Sequence, residues 1–180
     1  YIFAAMGSLT VQDSLFATNE TASATESPVH LGSLSTAGGV CAVITSSTFA
    51  GNSSGVAAGL DVYASMCIAV AANDIFWGSP LDAVRFEYPA WTYLANDDLD
   101  DLAEAANAAQ ATGVVSLDPM FYPDFSLHDL SPLRDMGTPG GFIFNLEPYD
   151  VAGNPRVYGD NPDIGAFETH DIIFADGFEL

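Results

Sequence analysis

The stretches "LTVQDSLFATNE" (residues 9–20), "CAVITSSTFAGNSSG" (41–55) and "CIAVAANDIFWGSP" (67–80) decide the fold. Each runs from alternating apolar residues through a polar step to an aromatic, then to a turn of Gly, Asn or Ser. Their anchoring aromatics, Phe16, Phe49 and Phe76, are separated by 33 and 27 residues, within the period of about 20–50 residues typical of stacked repeats. Alternation favours strands over helices. One such repeat cannot bury its apolar face alone, so stability has to come from stacking. The expected inward residues are Leu9, Val11, Leu15, Val43, Ile44, Phe49, Ile68, Val70, Ile75 and Phe76. Asn19, Asn52 and Asn73 fall near the corners, where Asn tolerates left-handed geometry. Residues 21–39 read as a long loop, and 55–65 as a shorter excursion that carries a further strand.

Downstream come "GVVSLDPMFYPDFSLHDLSPLRDMGTPGG" (113–141) and "DVAGNPRVYGDNPDIGAFE" (150–168). They contain four ordered steps: Asp118-Pro119 with Phe121; Ser131-Pro132 with Asp135 and Gly137; Asp150 with Gly153 and Arg156; and the run from Asp163 to Glu168. In these steps the chain resembles the C-terminal part of secreted and surface-anchored bacterial right-handed parallel β-helix repeat proteins, the choice-of-anchor and pectate-lyase-like solenoids. Leu133 and Arg134 stand where that family has small or aliphatic residues. The resemblance implies an all-β fold, a right-handed parallel β-helix over 1–168 lacking N-terminal coils of a larger precursor. A closing module would occupy 113–168 and a separate tail 169–180. It says little about activity, because this scaffold hosts many functions. Gly137, Gly153 and Gly165 suit positive φ or close backbone approach, and Pro132, Pro155 and Pro162 fix turns. Asp135, Asp150 and Asp163 are expected to accept backbone N–H groups there.

One segment departs from the strand pattern. "NDDLDDLAEAANAAQATG" (96–113) places Leu99, Leu102, Ala103, Ala106 and Ala109 at helical spacing. Asp97 or Asp98 can cap its start and Gly113 can stop it, so a short flanking helix is expected within 97–112.

Cys41 lies eight residues before Phe49, and Cys67 nine before Phe76. Equivalent strands of adjacent coils would hold them about 4.8 Å apart, inside the Cα range of a disulfide. A pair of buried thiols in a ladder is the alternative.

The chain has 180 residues, enough for one domain with a substantial core. Its 24 acidic and three basic residues give a net charge of −21, which excludes ordinary binding to nucleic-acid backbones. No stretch is apolar and long enough to span a membrane. The opening "YIFAAMG" has no initiator Met, so the chain is read as a mature or partial product of a secreted protein. Asn19-Glu20-Thr21 and Asn52-Ser53-Ser54 match a glycosylation acceptor pattern.

Candidate sites are few. Carboxylates are plentiful, but no spacing singles out an acid and a base across a sugar site. Arg134 and Arg156 belong to the closing steps, which leaves Arg85 as the basic residue for a polysaccharide lyase or hydrolase. His30, His128 and His170 are far apart, and no nucleophile elbow is present. Tyr88, Trp91 and Tyr93 form a candidate sugar-stacking face, against a plain strand of large side chains. Asp97, Asp98, Asp100 and Asp101, or Asp160 with Asn161 and Asp163, are oxygen-rich enough for a structural calcium; a solvated cap and an Asp-stabilised turn are the alternatives. No other cofactor is implied.

The tail "THDIIFADGFEL" (169–180) combines Ile172, Ile173, Phe174 and Phe178 with an Asp-Gly turn. It resembles a short ending of some secreted proteobacterial proteins, and could anchor the chain or add a strand to a neighbouring copy. The expectation is therefore a non-catalytic extracellular or cell-surface solenoid, a head-to-tail fibre or adhesin subunit whose partners are copies of itself. A carbohydrate-binding or polysaccharide-degrading protein, meeting cell-surface polysaccharide, is the alternative.

Overall fold

A computed structural model describes residues 2–5, 7–22, 27–34, 39–54, 60–79, 84–87, 91–141 and 144–170. The chain makes four successive circuits of short strands. The first holds β1 (Ile2–Ala5), β2 (Leu9–Gln12), β3 (Leu15–Ala17) and β4 (Glu20–Thr21), and the second β5 (Val29–Leu34), β6 (Val40–Thr45), β7 (Thr48–Ala50) and β8 (Ser53–Ser54). The third has β9 (Leu60–Ser65), β10 (Ile68–Ala72) and β11 (Ile75–Trp77), and the fourth β12 (Val84–Glu87), β13 (Trp91–Ala95) and β14 (Asp98–Leu99). A single helix, α1 (Ala103–Asn107), and a last strand, β15 (Gln110–Thr112), follow. Like strands of successive circuits pair in parallel. The first sheet has the order β1-β5-β9-β12, the second β15-β13-β10-β6-β2 and the third β14-β11-β7-β3, with β4-β8 as a small pair. The protein is thus all-β, in parallel sheets with almost no helix.

Backbone conformation explains the sharp corner between the second and third sheets. Asp13, Ser46, Asn73, Asn96 and Gly113 each follow a strand of the second sheet, and all five have φ between 43° and 67°. A left-handed residue turns the chain at once, so β7 starts three residues after β6 ends. Non-glycine residues bear this strain only where the surroundings fix it. Here each corner N–H donates to the next circuit: Ser46 N to Ala72 O at 2.9 Å, Asn73 N to Ala95 O at 3.0 Å, and Asn96 N to Thr112 O at 2.8 Å.

The core is a column of side chains in register. Phe16, Phe49 and Phe76 are Cα partners, and Leu99 continues the row. The rings of Phe16 and Phe49 stack at 4.8 Å between centroids, and those of Phe49 and Phe76 at 5.3 Å. Ala42, Ala69 and Ala71 line the core on the second sheet, with Ile44 and Leu94. Val43, Ile68 and Val70 therefore face away from it, although the sequence pattern counted them inward. Side chains alternate along a strand, so neighbours such as Val43 and Ile44 cannot share a face. Ile75 also lies outside the main core, in a second cluster with Leu127, Leu133 and Ile164.

The helix expected within 97–112 is confined to Ala103–Asn107. Asp98–Leu99 is a strand, Leu99 is a core residue, and Gln110–Thr112 is the fifth strand of the second sheet. Repetition of the corner overrides helical spacing here. Only Asp101 serves the helix start, accepting Ala103 N at 2.9 Å, and Gly113 (φ 67°) makes the last left-handed corner rather than a helix stop. Ala105 and Ala108 pack on the core.

Residues 114–141 and 144–170 form a strap with no regular secondary structure. It runs along the flank of the circuits. Val115 bridges to Asp98 in the fourth circuit, Gly165 N donates to Asn73 O (2.8 Å) in the third, and Ala166 N to Thr48 Oγ1 (2.9 Å) in the second. Arg156 Nε lies 3.7 Å from Asp13 Oδ1 in the first. Gly165 has φ 105°, and a Cβ there would stand 2.6 Å from Ile75 Cδ1 and 2.9 Å from Thr48 Oγ1. Gly165→Ala is expected to cost roughly 2–4 kcal/mol from strain and overpacking together. Gly153→Ala, at φ 87° with nothing near its Cβ, should cost only about 1 kcal/mol. Urea denaturation of the two variants checks the difference; equal losses would mean that Gly165 is not wedged against the circuits.

Candidate functional site

A groove of about 330 Å³ lies on the outward face of the second sheet, a volume suited to a small ligand or a segment of a polymer. Val70 of β10, Tyr93 and Ala95 of β13, and Gln110 and Thr112 of β15 line its floor, with Asn96 at the corner. Parallel register places Val70, Tyr93 and Gln110 side by side. The opposite wall comes from the strap: Thr138, Gly140, Gly141 and Phe144.

Corner residues fix that wall. Asn73 donates Nδ2–H to Thr138 O (2.8 Å) and accepts Thr138 N–H on Oδ1 (2.7 Å), while Asn96 Nδ2 donates to Met136 O at 2.8 Å. Gln12 Nε2 reaches Asn145 O at 3.3 Å. Gly140, at φ 97°, lets the wall turn back so that Gly141 N meets Phe144 O at 3.1 Å. The result is an aromatic and aliphatic cleft edged by amides and hydroxyls, and none of its described lining residues is charged.

Of the expected sugar-stacking residues, Tyr93 lies in the groove and Trp91 beyond it, two positions earlier on β13 and so on the same face. Trp91 is 58% exposed, and the pair are about 7 Å apart along the strand. Tyr88 falls outside the described residues.

A second constellation joins residues that looked unrelated in sequence. His30, Asp61 and Arg85 are Cα partners on β5, β9 and β12, beside a row of Gly32, Tyr63 and Glu87. Leu31, Leu60 and Val62 face the core, so these rows face outward. Arg85 grips the buried Asp61 with two bonds, Nε to Oδ1 at 2.8 Å and Nη2 to Oδ2 at 2.9 Å, and reaches Glu87 at 3.1 Å. One cation is therefore matched by two carboxylates, which weakens its claim on an acidic substrate. The clue in the sequence was a shared apolar–polar–apolar start in "VHLG", "LDVY" and "VRFE".

The corner also hides a polar ladder. Ser14 N donates to Ser47 Oγ (3.2 Å), Ser47 N to Asp74 Oδ1 (2.7 Å), and Asp74 N to Asp97 Oδ1 (2.9 Å). Asp74 and Asp97 are both fully buried. Burial pushes the Asp97 carboxyl up to about 8, against the pull of N–H groups from Asp74 and Ala95. Asp74 is raised well above the ordinary carboxylate range by burial and by the neighbouring Asp97. The repeated "Ala-Asn-Asp" at 72–74 and 95–97 is the signal that could have revealed this ladder.

The acidic residues considered for calcium serve separate backbone groups. Asp98 Oδ1 accepts Leu117 N (2.8 Å), Asp100 Oδ2 accepts Gly78 N (2.8 Å), and Asp101 Oδ1 accepts Ala103 N (2.9 Å). Asp163 accepts Asp135 N (2.8 Å) and Thr169 N (2.7 Å), with the Thr169 hydroxyl also on it, while Asp160 is exposed. Among the described residues no group of three or more His, Cys, Asp or Glu is arranged to hold a metal ion. Asp150 accepts Ala152 N, Asn154 N and Glu168 N within 2.7–2.9 Å. Asp135 instead donates its own N–H to Asp163 and packs its carboxylate against Gly159.

Cys41 and Cys67 are joined by a disulfide with Cα atoms 5.8 Å apart. Asn52 is buried, with its amide accepting Asn19 N (3.1 Å) and donating to Phe16 O (2.9 Å), so it offers no accessible acceptor for a glycan. Ile172, Ile173, Phe174 and Phe178 fall outside the described residues. No described helix is long and apolar enough to cross a membrane. Comparison with protein-family models, with curated proteins and with solved structures gave no match.

Proposed function

We propose that the chain is a right-handed parallel β-helix of the secreted, surface-anchored kind, and that it binds a neutral glycan without catalysis. The uncharged aromatic groove on the second sheet carries this reading. In a chain of net charge −21, a cleft with no charge among its described lining residues selects against acidic polymers and suits a polyhydroxylated neutral one. Tyr93 and Trp91 supply ring faces, and Gln110 and Thr112 supply hydrogen bonds that fix orientation. The Cys41–Cys67 bridge favours an oxidising exterior. The order in which the chain revisits its three sheets, together with the closing steps from Asp118 to Glu168, supports the solenoid.

Affinity electrophoresis and a glycan array test it. Binding to one or more neutral glycans is expected, weakened at least about ten-fold by Tyr93→Ala, as for a buried aromatic anchor, and less by Trp91→Ala. No binding, or binding to acidic glycans alone, would sink the reading. Release of product from a polymer would move the function to His30, Tyr63 and Arg85 and make the protein an enzyme. Head-to-tail association of copies rests on the tail, and the groove adds no argument for it.

A further inference from the structure

The strap is both the wall of the groove and a unit largely separate from the stacked circuits. Its own residues organise it. Asp150 and Asp163 gather backbone N–H groups, Glu168 accepts Tyr158 N (3.0 Å) and Asp163 N (3.1 Å), and Arg156 donates to the carbonyls of Asp163 and Gly165. Its hold on the circuits is much smaller. The apolar part is the cluster of Leu127, Leu133 and Ile164 around Ile75, distinct from the main core around Phe49 and Phe76. The polar part is a set of bonds to Gln12, Thr48, Asn73, Asn96 and Asp98, the backbone pairing of Val115 with Asp97 and Leu99, and the ion pair of Arg156 with Asp13. Segments joined to a fold by few buried apolar contacts open separately from it.

We propose that the strap undocks from the flank as a unit and that its docking gates the groove. Docked, Thr138, Gly140, Gly141 and Phe144 face Tyr93 across the cleft; undocked, Tyr93 and Val70 lie on an open sheet. That the gated ligand is a glycan rests on the function proposed above; the opening itself does not.

Docking buries Asp13, and acid favours it. The charged groups around Asp13 are Arg156, Glu147 and Asp150, all on the strap, and burial outweighs the attraction of Arg156 to push Asp13 up to about 6. A carboxyl that binds its proton more tightly when docked makes docking weaker as pH rises through that value.

Hydrogen exchange of the intact chain at pH 5 and pH 8, corrected for intrinsic rates, tests the proposal. The amides of Thr138, Gly165 and Ala166, whose acceptors lie on Asn73 and Thr48, should exchange through one shared opening while Ala69–Ala72 stay protected. That opening should be at least about ten-fold more frequent at pH 8 than at pH 5, and Asp13→Asn should shrink the difference, leaving the share of Asp98, which meets Leu117 and Asp118 of the strap. If strap and sheet amides exchange through a single common opening, the strap is not a separate unit and the proposal is overturned. An unchanged pH dependence in Asp13→Asn would overturn the part given to Asp13. A neutral glycan that binds should slow strap opening; if strap opening is found but no glycan affects it, the glycan reading fails and the strap remains.

Discussion

Stability should be greatest near pH 4.5 and should fall by at least about 3 kcal/mol by pH 8.5, the weight of a single two-unit pKa shift. Most proteins are most stable between about pH 5 and 8, so this maximum is displaced towards acid. Its cause is the set of buried carboxyls at the corner and under the strap. Burial raises Asp13 to about 6, Asp98 and Glu168 to about 7, and Asp97 to about 8, with Asp74 also well above its ordinary range. Each of these groups holds its proton more tightly in the fold than in the unfolded chain. Their contributions are fully present below the unfolded values near 4 and are lost as pH rises through the folded values. The window therefore opens near pH 4 and closes near pH 8. Self-repulsion in a chain of net charge −21 acts in the same direction.

Thermal unfolding followed by circular dichroism across this range checks the expectation. A fall of 3 kcal/mol corresponds to roughly 6–12 °C in Tm for a domain of this size. Dilute protein is needed at the acid end, close to the pI of about 4.1. A flat profile, or one that rises with pH, would mean that Asp74 and Asp97 are paired or hydrated well enough to ionise in place.

These same carboxyls mark the limit of what the sequence reveals. Phe16, Phe49 and Phe76 announced the stacking because their spacing survives loops of unequal length. The next member of that column, Leu99, is not aromatic, and its approach through Asp97 and Asp98 reads equally well as a helix cap. Propensity alone cannot separate those readings; the register with Ile75 and Phe76 decides between them. Val70 reads as inward because nothing local shows that a strap some 65 residues beyond Asn73 covers its outer side. The groove was half legible. Tyr93 and Trp91 stood out as large side chains on one strand, but the wall facing Tyr93 depends on contacts between segments far apart in the chain. The row of His30, Asp61 and Arg85 leaves only the trace of its apolar–polar–apolar starts in the sequence, since loops of different length separate its members.

Phe49→Ala should remove about 3–5 kcal/mol of unfolding free energy, the usual range for deleting a buried aromatic. That is about a fifth or more of the stability of an ordinary domain. Phe49 is the middle ring of the stack, 2% exposed, nearly parallel to Phe16 (2°) and within 16° of Phe76. Removing it strips one face from each neighbour and leaves a void that the paired backbones on either side cannot close, because β3, β7 and β11 are held at fixed spacing by their hydrogen bonds. Phe16→Ala should cost roughly half as much, since Phe16 is only half-buried and has the Phe49 ring on one face. Phe49→Leu keeps most of the volume and should lose about 1–2 kcal/mol, which preserves the comparison if Phe49→Ala does not fold. Urea denaturation at pH 5, on the acid side of the expected fall in stability, gives the ranking Phe49→Ala, then Phe16→Ala, then Phe49→Leu. If Phe16→Ala proved as damaging as Phe49→Ala, the column would not be stacked with Phe49 at its centre, and the register from Phe16 to Leu99 would have to be redrawn.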